Sequence, residues 1–254
     1  DVEHAITVNS WTSGLTAAVG ALHIEPGDEV IVSPWTMTAS ATAILHWNAI
    51  PVFADIDKET FGSCADAIKN CLSDKTRMIV AQHSFGIPCN IQPIVELARE
   101  NKIFLLEDCA LTMGSKINGT ICGNFGDASL FSTDHSKPLN LLIGGMIYTK
   151  DRILYSKLKD RRDASDDLPL WKKKSLWKQL LFERKYCLPK TYGRMNLASL
   201  MRSKVSFMER PFLDEDFESN LSSSYPYPSR LPTFLAKLGL YELKRWSYLK
   251  KNRQ

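Results

Sequence analysis

Short apolar runs punctuate this chain, and the stretches between them repeat their apolar positions every three or four residues. Ala5-Ile6-Thr7-Val8, Glu29-Val30-Ile31-Val32, Ile50-Pro51-Val52-Phe53-Ala54, Arg77-Met78-Ile79-Val80-Ala81, Ile103-Phe104-Leu105-Leu106 and Ala128-Ser129-Leu130-Phe131 read as buried strands. Residues 14–22, 38–47, 64–72 and 91–101 read as helices between them. Strand, loop and helix at this spacing predict an α/β fold, with a mostly parallel sheet covered on both faces. Right-handed crossovers line up the loops that follow the strands along one edge. Ligands bind at that edge in open α/β sheets, so Thr12, Ser13, Trp35, Met37, His83, Asp108 and Lys137 are expected to converge there despite their separation in sequence. Residues 235–254 read as one amphipathic helix still running at the last residue, and the first strand begins with almost no lead-in, so both ends look cut.

Composition leaves this picture standing and excludes some classes. The 254 residues are 44% hydrophobic and 24% charged, an ordinary globular balance. No apolar run approaches the length that spans a bilayer, and residues 1–15 lack the charged start and apolar core of a signal peptide. The six cysteines (64, 71, 89, 109, 122 and 187) form no CxxC pair, which points to reduced thiols in a cytoplasmic protein and to no metal site. A net charge of +4 is too weak to imply nucleic acid.

Candidate chemistry sits just past the apolar run at 128–131. Lys137 follows it within Ser132-Thr133-Asp134-His135-Ser136, and Gly144-Gly145 lie close behind. A lysine held partly out of water at a strand end is a usable amine, able to form a Schiff base with a carbonyl; the plainer reading is a solvated loop lysine. Asp108 closes an apolar strand, where a carboxylate is costly without a partner. It is either a helix cap or structural ion pair, or the partner of a protonated ring nitrogen. Asn9-Ser10-Trp11-Thr12-Ser13 opens a helix of small residues, and such a start either caps itself or cradles a phosphate. The three features together are more specific than any one alone.

The ordered stretches Val8 through Leu15, Pro26 through Val32, Pro51 through Asp57, Glu107-Asp108-Cys109-Ala110, Gly123 through Ala128 and Phe131 through Lys137 resemble the DegT/DnrJ/EryC1/StrS family of sugar aminotransferases. These are enzymes of the fold type I class that depend on pyridoxal 5'-phosphate (PLP). The resemblance runs from about residue 6 to 148 and resumes weakly from about 230. It implies a three-layer α/β/α large domain over 1–160, a basic and mainly helical insertion over 161–222, and the beginning of a smaller C-terminal domain over 223–254. It also implies PLP as cofactor, with Lys137 as the Schiff-base lysine and proton shuttle. Asp108 would face the pyridine nitrogen, Thr12, Ser13 and Ser132 the phosphate, and Met37 the ring. Trp35, His83 and His135 are weaker candidates for touching substrate.

The implied reaction moves an amino group from an amino acid, glutamate by expectation, to a keto group of a nucleotide-linked sugar, in a homodimer. The competing reading is a non-catalytic relative that binds PLP or sugar nucleotide as a regulator or scaffold. Several positions depart from the family pattern: Met37 replaces an aromatic residue, Leu111 a Gln or His, Ile143 an acidic residue and Trp11 a glycine, and residues 225–229 lack the expected asparagine. From Lys157 to Arg210 the chain carries 15 Lys and Arg against 6 Asp and Glu, with Trp171 and Trp177 among them. An oligomer-contact helix is the favoured reading of this stretch. A basic rim for an anionic substrate comes second, and membrane-surface contact of 170–190 is less favoured.

Overall fold

A computed structural model of the chain describes residues 4–186, 190–191, 193 and 229–251. Seven strands form one sheet: β1 (Ala5–Val8), β2 (Glu29–Val32), β3 (Ile50–Phe53), β4 (Thr76–Gln82), β5 (Phe104–Asp108), β8 (Ala128–Ser132) and β9 (Gly145–Thr149), with β6 (Lys116–Ile117) and β7 (Thr120–Ile121) in a separate two-stranded ribbon. Sheet order is β1-β9-β8-β5-β4-β2-β3. β3, β2, β4, β5 and β8 run parallel, and β9 is antiparallel to both β8 and β1.

The central strands are buried on both faces, which is why they read as unbroken apolar runs. Their side chains alternate between two cores. Val30, Val32, Met78, Val80 and Leu106 meet α1 (Trp11–Ala21), α2 (Ala39–Leu45) and α5 (Arg152–Ala164) on one face. Ile31, Ile79, Ala81 and Leu105 meet α3 (Ala65–Asn70) and α4 (Ile91–Glu100) on the other. The expected three-layer α/β/α arrangement is therefore present. Pro51 sits in β3, an edge strand where a missing N–H costs no ladder bond on the open side.

Two expectations need correction. Helix α1 begins at Trp11, with Ser10 as its cap, so Thr12 and Ser13 lie inside the first turn. The C-terminal helix is two helices, α7 (Thr233–Lys244) and α8 (Trp246–Lys251), because the chain leaves helical geometry at Arg245, with φ −96° and ψ 5°.

The start of the basic stretch is helical, as α6 (Leu170–Tyr186), but it is not cleanly two-faced. Leu176 is buried against Leu142, Ile143, Leu231 and Leu235, whereas Trp171, Trp177, Leu181 and Tyr186 are exposed. Its apolar residues are spread around the helix, so the sequence spacing alone overstated its amphipathicity. The rest of that stretch, including Cys187 and residues 225–228, lies outside the described residues.

α1 packs unusually close to the sheet because of glycine. Gly145 pairs with Val8 across the β1–β9 ladder, and a Cβ there would stand 2.5 Å from the Ser10 carbonyl oxygen and 3.0 Å from Trp11 Cα. Both neighbours are backbone, so they cannot swing aside. Gly145→Ala is therefore expected to cost about 1–3 kcal/mol through overpacking, lowering the thermal midpoint by about 2–10 °C; a melting curve coincident with the parent's would show that α1 yields.

Candidate functional site

The carboxyl ends of the parallel strands open onto one cavity of about 820 Å³. Each wall comes from a different strand end. Pro34 to Met37 follow β2, His83 to Phe85 follow β4, Asp108 ends β5, Ser132 ends β8 with Asp134 to Lys137 just after it, and Ser10, Trp11 and Thr12 start α1. The register explains the convergence: Gln82 pairs with Asp108, and Asp108 with Leu130, so the ends of β4, β5 and β8 are level.

Of the expected residues, Thr12, Trp35, Met37, His83, Asp108, Ser132, His135 and Lys137 all line this cavity. Ser13 does not. It is fully buried, its amide donates to Ser10 Oγ at 3.0 Å, and Ser10 Oγ in turn donates to Ser13 Oγ at 3.2 Å. The cap that starts the helix uses the groups Ser13 would have offered. His83 reaches the wall but has nothing left to give a substrate. Cys89 N donates to its Nδ1 at 3.1 Å, which fixes the proton on Nε2 and aims it at Glu107, 3.2 Å away. Trp35 and Met37 are half exposed at the mouth, beside exposed Phe85. Gln82 Nε2 donates to the Trp35 carbonyl at 2.8 Å and steadies that loop.

Lys137 stands on a loop held by its own backbone. Thr133 N donates to Gly144 O, Leu141 N to Thr133 O, and Lys137 N to Asp134 O, all between 2.8 and 2.9 Å. Thr133 Oγ1 donates to Ile143 O at 3.1 Å. Gly144 closes this loop at φ 127°, in the region that favours glycine. His135 Nδ1 contacts the Asp134 carboxylate at the cavity rim.

Glu107 and Asp108 are consecutive, buried and treated oppositely. Glu107 points to the α3/α4 face. Its Oε1 accepts from Phe125 N at 2.6 Å and Gly126 N at 2.7 Å, and its Oε2 accepts from Gly123 N at 2.7 Å and from His83. Burial pushes its pKa up, but His83 and these amides outweigh it and hold the carboxyl below its usual value. Glu107, His83 and Cys109 present ligand atoms within 4.8 Å of one another, yet both imidazole nitrogens and both carboxylate oxygens are already engaged, so the group is a closed hydrogen-bond cluster. Burial also drives the nearby thiols up, Cys89 to about 12 and Cys122 to about 11, leaving them inert.

Asp108 faces the cavity with one bond in hand, from Ala110 N to Oδ1 at 2.9 Å. Burial raises its pKa to about 6, while the Ala110 amide, the Lys137 ammonium, His83 and the Trp11 indole pull it down. It thus ionises at neutral pH at a cost, and a cation placed against it would relieve that cost. Leu111 and Ile143 line the same cavity and keep its walls apolar. Sequence reasoning overlooked Glu107 as the organiser of the 123–126 loop. The signal lay in two adjacent acids at the end of an apolar strand, which cannot share one solution.

PLP suits these residues. The cavity holds a lysine amine and a buried carboxylate that lacks a full set of donors, and the positive end of an 11-residue helix with Ser10 and Thr12 borders it. Sheet order and cleft define an α/β protein of the fold type I PLP-transferase class. The chain belongs to the DegT/DnrJ/EryC1/StrS aminotransferase family, whose sequence model matches residues 1–254. It is 42% identical over 156 residues to GDP-perosamine synthase of Escherichia coli O157:H7, an alignment covering 61% of this chain and 43% of that one. It therefore spans less than half the length of that curated relative. Among solved structures, the aminotransferase from Psychrobacter cryohalolentis superposes with a TM-score of 0.70 at 28% identity, covering 96% of this chain and 53% of the other. NtdA of Bacillus subtilis, solved with bound cofactor PMP, superposes with a TM-score of 0.58 at 26% identity, over 62% of this chain and 35% of the other.

The raised pKa of Asp108 has a stability consequence. The folded chain binds the proton at about 6, whereas the ordinary value is 3.8. Above about 6 the buried charge weakens the fold; below 3.8 both states are protonated and the penalty is gone. Asp108→Asn, without added cofactor, is expected to stabilise the chain at about pH 7 by up to about 3 kcal/mol. The gain should fade as pH falls across that window, as read by denaturant unfolding at a series of pH values.

Proposed function

We propose that this chain is the cofactor-binding part of a PLP-dependent aminotransferase that delivers an amino group to a keto carbon of a nucleotide-linked sugar. The observation that carries the reading is that Asp108 and Lys137 line one largely apolar cavity at the sheet's carboxyl edge, near enough for the ammonium to pull on the carboxyl. Family membership and the relation to GDP-perosamine synthase support it.

Bound PLP would supply the electron sink that lets an amino group be exchanged at carbon. Lys137 Nζ would hold the cofactor covalently and, once released, carry a proton to and from the substrate carbon. The Asp108 carboxylate, ionised at neutral pH, would sit against the cationic ring nitrogen. Ser10 and Thr12 at the α1 start, together with the Ser132 hydroxyl, would receive the phosphate, while Ser13 would support them through the cap. The Met37 thioether and the Trp35 ring would cover a face of the cofactor, a contact open to sulfur as well as to an aromatic ring. Leu111 and Ile143 would exclude water, and His135, oriented by Asp134, would meet the substrate.

Glutamate is the proposed donor. The division into a large domain over 1–160, a basic insertion over 161–222 and the start of a small domain over 223–254 belongs to the same reading. So does a homodimer in which a second subunit covers the exposed Trp35, Met37 and Phe85. Among the described residues no helix is long and apolar enough to cross a membrane.

Incubation with PLP followed by borohydride is expected to leave the cofactor's mass on the peptide that contains Lys137, with a visible absorption band before reduction. Lys137→Ala should show neither. A folded parent chain without band or adduct would overturn the enzyme reading and leave the non-catalytic relative.

A further inference from the structure

One polar group on the cavity wall, the Trp11 indole, bears on Asp108 without a fully formed hydrogen bond. Trp11 is 9% exposed and packed into the core beneath α1. Its Nε1 is buried without a hydrogen-bond partner of good geometry among the described residues, an omission that is costly when permanent. Trp11 is the first residue of α1, directly after the Ser10 cap, and its Cα is pressed against Gly145. Both Trp11 and Asp108 line the cavity, and the indole lies close enough to pull the carboxyl's pKa down. Asp108 meanwhile spends only Oδ1, on Ala110 N.

We propose that Trp11 is a positioning residue for Asp108: its indole N–H closes onto the unfilled edge of the carboxylate, fixing its orientation and favouring its charged form. The value of that charge to a ring nitrogen rests on the proposed function, but the pairing itself does not. The other groups around Asp108 come from three directions. Lys137 faces it from the loop after β8, and His83 from the end of β4, while Cys109 follows it in the chain. His83 is committed to Glu107 and Cys89, and under the proposed function Lys137 is committed to the cofactor. Beside the Ala110 amide, Trp11 is thus the donor on this wall with no other commitment among the described residues. A phenylalanine would fill much of the same space without the N–H.

The test uses the full chain with no cofactor added, following aspartate side-chain carboxyl carbons by NMR against pH, with Asp108→Asn assigning the resonance. In Trp11→Phe the Asp108 midpoint is expected to rise by about half a pH unit or more. In the parent, the Trp11 indole N–H resonance should move with the Asp108 midpoint, and in Asp108→Asn that movement should vanish. An unchanged midpoint in a folded Trp11→Phe overturns the proposal. So does an indole resonance blind to Asp108 in the parent, which decides the matter alone if Trp11→Phe does not fold. Because no PLP is present, neither failure bears on cofactor attachment at Lys137.

Discussion

The structure turns on two neighbouring carboxylates at the end of β5. A strand in the middle of a covered sheet must be apolar, and ending it with Glu107-Asp108 puts two charges where water does not reach. Because side chains alternate along a strand, the two acids face opposite layers. Glu107 is answered in full by the amides of Gly123, Phe125 and Gly126 and by His83. That solution ties the end of β5 to the loop leading into β8, and so fixes where β8 releases the Lys137 loop. Asp108 is left short of donors on the cavity side. One acid builds the wall, and the other is held at a cost within it.

That imbalance is what makes the cavity more than a gap at a sheet edge. Folding tends to satisfy or neutralise a buried carboxyl, and a site that leaves one partly open is suited to a cationic ligand group. Under the proposed function, Lys137, the helix start at Ser10 and Thr12, and the apolar Leu111 and Ile143 would give that ligand a covalent anchor, an anion seat and apolar walls. α6 and α7 add support from outside the sheet: Leu176 and Leu235 pack on Leu142 and Ile143, next to the loop that carries Lys137. The basic segment thereby touches the candidate site through its backing, whatever its exposed aromatic residues meet.

Much of this was legible before the fold was known. Unbroken apolar runs such as Met78-Ile79-Val80-Ala81, alternating with helical stretches, read as central parallel strands, and strand-end loops then share an edge, so the convergence of Thr12, Trp35, Met37, Asp108 and Lys137 followed from topology. Hydrogen-bond economy was not legible. Nothing in Ser10-Trp11-Thr12-Ser13 shows that Ser10 takes the cap and spends Ser13 on it, and nothing in Gln82-His83-Ser84 shows both imidazole nitrogens consumed by Glu107 and Cys89. Helix breaks without glycine or proline, as at Arg245, and a helix with apolar residues on every side, as α6, likewise escape periodicity because tertiary contacts decide them.

The most direct measurement of the account is the shift in thermal unfolding midpoint produced by saturating PLP at neutral pH, in the parent chain and in Asp108→Asn. A ligand stabilises the fold by an amount that rises with the logarithm of its concentration over its dissociation constant, so at one PLP concentration the difference between the two shifts reads the value of the carboxylate to the cofactor. The account predicts a clear upward shift in the parent and a much smaller one in Asp108→Asn. An equal shift in both would mean that the cofactor does not use the charge held at the end of β5, and would contradict the account.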